Sequence, residues 1–273
     1  MGKSQLKATI LSTMGSGDVA FIDDPNQDPR LSRMERLRPW ITPSNVVGNA
    51  DYLARLMLTG RNGVHSPAPP RNGHNASHIV VPGYASANRV FRPLASMVPG
   101  MSTSTNYEEP RFRSPLPADD AAEELRREIK SRDDEVINLV CHSRGGILAV
   151  LACDSLDDDT RARIGRIVTL GTPWQGAPVA HLVGLVRQDS ALRELSPGSD
   201  FLTRRLAAVS DDTRGRVISV SSTDDKIAPW RNCILDRAAL NVLLRGQQAV
   251  THAGLLSSPK LAAMISAVLN GKH

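Results

Sequence analysis

Ser143, Asp225 and His252 have the residue types and the order along the chain to build an activated nucleophile. Ser143 follows the apolar run Val136-Ile137-Asn138-Leu139-Val140-Cys141-His142, and a helix-like stretch from Arg144 to Cys153 follows it. A serine on a sharp strand-to-helix turn needs small neighbours, which Gly145 and Gly146 supply. A hydroxyl is a poor nucleophile until a base removes its proton, and histidine does this best near neutral pH. The histidine in turn needs an acid to fix its tautomer and stabilise its charged form. Downstream, Val217-Ile218-Ser219-Val220-Ser221-Ser222 reads as a strand that ends in Thr223-Asp224-Asp225-Lys226-Ile227-Ala228-Pro229. His252 stands on a loop just before the last helix. Both Asp224 and Asp225 are candidates for the acid. His142 reads as a packing or hydrogen-bonding residue, and His65, His74 and His78 read as surface residues.

The elements that must position these groups alternate. Strands are expected at Ile79–Pro82, near Ser102–Tyr107, at Val136–Cys141, Arg166–Leu170 and Arg216–Ser221, and near Asn241–Leu244. Helices are expected at Asn88–Met97, Asp119–Ser131, Arg144–Cys153 and Pro259–Leu269. Such alternation gives a mostly parallel sheet with helices on both faces. Ligands then bind at the carboxyl ends of the strands, where Ser143, Asp225 and His252 all fall.

The nucleophile, acid and histidine segments together resemble small bacterial lipases and esterases of the α/β-hydrolase superfamily. There a strand ends in Ser-x-Asp-x-Ile-Val, and the histidine is followed by a small residue and Gly-Leu-Leu. The matching stretches are Thr223-Asp224-Asp225-Lys226-Ile227-Ala228 and His252-Ala253-Gly254-Leu255-Leu256. Aligning on Ile227 puts the acid on Asp225, with Asp224 as its rival. The resemblance runs from about Ser77 to the C-terminus. It departs at Cys141, which replaces the first glycine of G-x-S-x-G, and at Pro82-Gly83, which replaces His-Gly.

The resemblance implies an oxyanion hole made by the main-chain N–H groups of Tyr84, after the first strand, and Arg144, after the nucleophile. It places Gly171-Thr172-Pro173-Trp174-Gln175-Gly176 beside the site. It also implies a short helical cap at about 174–208, with Trp174, Leu182, Leu185 and Trp230 as candidate substrate contacts. In the cap, Arg187, Asp189, Arg193 and Glu194 are expected to face water. The implied activity is cleavage of a carboxylic ester through an acyl-enzyme. Acyl transfer to an alcohol or amine on the same fold is the alternative, and a non-catalytic scaffold is a third reading. No cofactor and no metal are called for.

Composition bounds the partners. The chain has 273 residues, a formal net charge of +5 and 4% aromatic residues. No basic run interleaved with aromatics suggests nucleic-acid binding. The expected partner is a small acyl ester or lipid-like molecule, with at most peripheral membrane contact. Cys141, Cys153 and Cys233 show neither metal spacing nor a disulfide framework. The N-terminus lacks the apolar core of a signal peptide, so cytoplasmic residence is the expectation. Residues 1–76 read as a helical and irregular extension, with helical pieces at Leu31–Pro39 and Asn45–Leu58. Residues 77–273 read as the hydrolase core.

Overall fold

Strand side chains alternate between the two faces of a sheet, so a strand that is buried along its length must be covered on both sides. Four strands here are of that kind. In the computed structural model, which describes residues 1–24, 76–84, 86, 88–103, 116–180 and 190–271, β2 (Ala76–Val81) and β4 (Val136–His142) are buried from their second residue on. β6 (Val217–Ser222) and β7 (Leu240–Leu244) are buried throughout. With β1 (Val19–Phe21), β3 (Met101–Thr103) and β5 (Ile164–Leu170) they form a seven-stranded sheet in the order β1-β7-β6-β5-β4-β2-β3. Every pairing is parallel except that of β1 with β7.

The alternation divides the core in two. Ile79, Val81, Ile137, Leu139, Cys141 and Ile167 meet α3 (Ala118–Lys130) and α4 (Arg144–Asp154) on one face. On the other, Val80, Val140, Val168, Ile218, Val220 and Val242 meet α1 (Lys3–Met14), α2 (Arg92–Met97) and α8 (Pro259–Leu269). α3 buries Ala118, Ala121, Ala122, Leu125 and Ile129, a stripe at helical spacing, with Asp119 and Asp120 in its first turn where the helix dipole favours negative charge. α4 is buried on every side from Arg144 to Cys153, as a helix inside a core must be.

The short helices are α5 (Asp158–Ala162), α6 (Ser190–Glu194) and α7 (Asp211–Arg214), with a π-helical turn at Phe201–Leu206 before α7. Asp157 and Ser210 cap α5 and α7 through their side chains. The run Asp157-Asp158-Asp159 is therefore a helix start.

Within the N-terminal segment, residues 1–24 pack on the core: α1 buries Leu6, Ile10 and Met14 against the α8 side, and β1 extends the sheet. The helices expected at Leu31–Pro39 and Asn45–Leu58 lie outside the described residues, as do Leu182 and Leu185 of the cap.

Candidate active site

The turn after β4 carries Ser143 with φ 53 and ψ −128, and a positive φ is shared by only one other non-glycine residue among those described, Arg237. Such a backbone costs about 1–3 kcal/mol and persists only where its surroundings hold it. Here the Ser143 N–H donates to Leu170 O at 2.9 Å, and Thr172 Oγ1 donates to Ser143 O at 2.7 Å. Space is equally constrained. A Cβ at Gly145 would collide with Val81 O, and one at Gly83 would stand 2.8 Å from Ser143 Cβ. Gly83 therefore lets the end of β2 pass directly over the serine.

Asp225 and His252 are brought together from the ends of β6 and of the loop before α8. His252 Nδ1 lies 2.6 Å from Asp225 Oδ2, and both residues are buried. A carboxylate oxygen accepts and Nδ1–H donates in this pair, which leaves Nε2 as the ring's other nitrogen. The other oxygen, Oδ1, accepts the Ile227 and Ala228 N–H groups at 2.9 and 2.8 Å. The acid is thus fixed at both oxygens. Asp224 is half-buried and its N–H donates to Ser222 Oγ at 3.3 Å, in the turn beside this pair.

Gly171, at the end of β5, forms the wall behind the pair. Its φ is +61, and a Cβ there would lie 2.9 Å from Asp225 Oδ2 and 3.0 Å from His252 Nδ1. Gly171 and Thr172 thus give the Gly-Thr-Pro stretch its two contacts, one with the acid–histidine pair and one with the serine turn.

His142 links the strand end to the histidine loop. Its Nε2–H donates to His252 O at 3.0 Å, and the two rings lie 4.5 Å apart at 50°. Burial pushes its imidazole pKa well below the usual range, with the His252 ring acting in the same direction and the hydrogen bond to His252 O acting against it. This bears out the reading of His142 as a hydrogen-bonding residue. His78 was read as a surface residue but is buried, with its Nδ1 3.3 Å from Asn138 Nδ2. The strand that carries it is covered on both faces, which a lone histidine before an apolar run does not reveal.

The remaining candidates divide. Tyr84 follows Gly83 in a turn closed by Ser86 N–H to Gly83 O at 3.2 Å. Arg144 is the first residue of α4, so its N–H opens the helix beside the serine. Its side chain is fully buried, donating to Leu116 O at 2.5 Å and lying 3.4 Å from Glu194 Oε2. Glu194 was expected to face water, yet both its oxygens accept the Ala118 N–H, at 3.2 and 3.0 Å. Burial pushes its carboxyl up, against the pull of that N–H and of Arg144. Sequence periodicity alone held no signal of this pairing, because the partners are 50 residues apart. Trp174 is buried with its indole N–H donating to Ser219 Oγ at 2.9 Å. Trp230 is buried beside Ile22, Ile234 and Leu243, with the Arg231 guanidinium 4.3 Å from its ring centre.

A family described as Mbeg1-like matches residues 108–231, a stretch that holds Ser143 and Asp225 and stops short of His252. No curated protein matches the chain in sequence. Among solved structures, the mature form of a Bacillus licheniformis lipase aligns at TM-score 0.52 and 14% identity, over 72% of this chain and 91% of its own. A metagenomic carboxyl esterase aligns at TM-score 0.52 and 15% identity, over 82% of this chain and 88% of its own. Aspergillus fumigatus lipase B aligns at TM-score 0.53 and 14% identity, over 91% of this chain and 73% of its own. At these identities the likeness is one of architecture, and that architecture, a mostly parallel sheet between helical layers, is the α/β-hydrolase fold.

Proposed function

We propose that this protein is a serine hydrolase that cleaves a carboxylic ester through an acyl-enzyme. The observation that carries the reading is the buried Asp225–His252 hydrogen bond of 2.6 Å, on a loop tied to His142, the residue before a strained Ser143. In this reading Ser143 Oγ attacks the ester carbonyl while His252 Nε2 takes its proton. Asp225 holds the tautomer and stabilises the imidazolium. The Tyr84 and Arg144 main-chain N–H groups stabilise the tetrahedral oxyanion, each contributing about 3 kcal/mol. His252 then returns the proton to the leaving alcohol, and water repeats the sequence on the acyl-enzyme. The structures that share the fold include lipases and a carboxyl esterase, which supports an ester substrate.

The test is incubation with a fluorophosphonate followed by peptide mapping, alongside turnover of p-nitrophenyl esters. Labelling at Ser143, lost together with turnover in Ser143→Ala, supports the reading. Turnover in that variant within about tenfold of wild type removes it. Partition of the acyl group between water and added alcohols or amines separates hydrolysis from transfer.

A further inference from the structure

Arg144 has two assignments to account for. Its main-chain N–H is an oxyanion donor in the reading above, and its side chain is 0% exposed. A guanidinium is costly to bury, and an apolar side chain of like volume commonly fills such a space at least as stably. What the charged group adds is direction. Nη2 donates to Leu116 O at 2.5 Å and lies 3.4 Å from Glu194 Oε2. Glu194 closes the arrangement by accepting the Ala118 N–H at both oxygens. One ion pair, its arginine buried and its glutamate partly exposed, therefore joins the turn after β4, the start of α3 and the end of α6.

We propose that the Arg144–Glu194 pair is a positioning strut that sets the tilt of the first residue of α4, and with it the aim of the oxyanion N–H. The inference rests on the serine-hydrolase reading. Backbone strain at Ser143 alone leaves the next residue's orientation to whatever holds its far side. Thr172 Oγ1 and Leu170 O hold the serine. The Arg144 side chain reaches across to Leu116 O and Glu194 and so ties the residue to elements beyond its own helix and turn. A donor stabilises an oxyanion only when its N–H points at the oxygen's final position. Small displacements there change rate more than substrate binding. Arg144 and Glu194 are thus positioning residues, acting through a main-chain group.

The experiment uses the full chain with Arg144→Met, Arg144→Lys, Glu194→Gln and the double variant Arg144→Met with Glu194→Gln. kcat and KM are measured on a short p-nitrophenyl ester, with active sites counted by fluorophosphonate and Tm recorded. Losing a whole donor costs about 10²–10³-fold in kcat, so a misaimed one in Arg144→Met is expected to cost about tenfold, with KM within about twofold. Arg144→Lys is expected to recover part of the loss. Glu194→Gln keeps shape and loses charge, and is expected to lower kcat about threefold, the double variant falling no further than Arg144→Met alone. If Arg144→Met does not fold, Glu194→Gln decides, since its side chain is 19% exposed. Wild-type kcat per labelled site in the folded variants, whatever their Tm, overturns the strut and leaves the hydrolase reading standing. A wild-type protein that neither labels at Ser143 nor turns over esters overturns both.

Discussion

At the scale of the residue, His142 shows what a buried imidazole costs. It is held neutral by burial while its Nε2–H supports the His252 main chain. Unfolded, it takes a proton below about its ordinary value of 6.5, whereas the folded protein resists that proton. Stability is therefore lost as pH falls below about 6.5, at up to ~1.4 kcal/mol per pH unit from this group. Replacing His142 by Gln, which keeps an N–H donor, is expected to reduce the difference in urea midpoint between pH 7 and pH 5. An unchanged difference would show that other groups set the acid limit. A second expectation concerns the acid: Asp225→Asn is expected to lower kcat by about 10⁴, as an amide favours the wrong tautomer. Asp224→Asn, in the adjoining turn, is expected to stay within a few-fold, and steady-state kinetics of the two variants decide the ranking. The pairing of Asp225 with His252 was legible in the sequence, because the proposed chemistry needs those types in that order. His142's partner and the Arg144–Glu194 pair were not, because they depend on which loops the fold brings into contact.

At the scale of the element, Gly171 ends β5 where any side chain would press on the acid and the histidine together. Gly171→Ala combines the backbone cost of φ +61, about 1 kcal/mol, with displacement of a bond that is already 2.6 Å long. It is expected to lower kcat about 100-fold with a smaller change in KM. Gly198 separates the two effects: its φ is +76 but nothing lies within 4 Å of an added Cβ. Gly198→Ala is therefore expected to lower Tm and keep kcat. Equal kinetic losses in the two would mean that Gly171 acts through backbone strain alone. The buried parallel strands were legible as apolar runs, and the final helix was read at its observed limits, Pro259–Leu269. α5 and α7 escaped, being too short to show a period although Asp157 and Ser210 are ordinary cap residues. β1 escaped because three residues carry little pattern, and the strand that completes it, β7, begins only at Leu240.

At the scale of the molecule, the sheet is one cooperative layer whose edge next to β7 is closed by the chain's first segment. The Arg245 N–H donates to Asp18 O at 2.9 Å and the Ile22 N–H to Asn241 O at 3.0 Å, extending the pairing at both ends of β1. Removing residues 1–24 would uncover the α8 face beneath Leu6, Ile10 and Met14 and free the β7 edge. Each such side chain contributes about 1.5–3 kcal/mol when buried, and an open edge invites pairing with another chain. The truncated protein is expected to aggregate or lose most of its Tm, as light scattering and thermal melts would show. Wild-type behaviour would make α1 and β1 dispensable.

Because β1 and β2 lie in one sheet with four other strands between them, five spacings of about 4.8 Å separate them, roughly 24 Å. The strand pairings that seat β1 are made with β7 and those that seat β2 with β3 and β4. Covalent continuity between the two is then a matter of effective concentration. A peptide of residues 1–75 refolded together with a 76–273 fragment is therefore expected to restore ester turnover in a saturable way, and one with residues 1–24 scrambled is not. Reconstitution would turn the edge strand into a switch for assembling the site on demand.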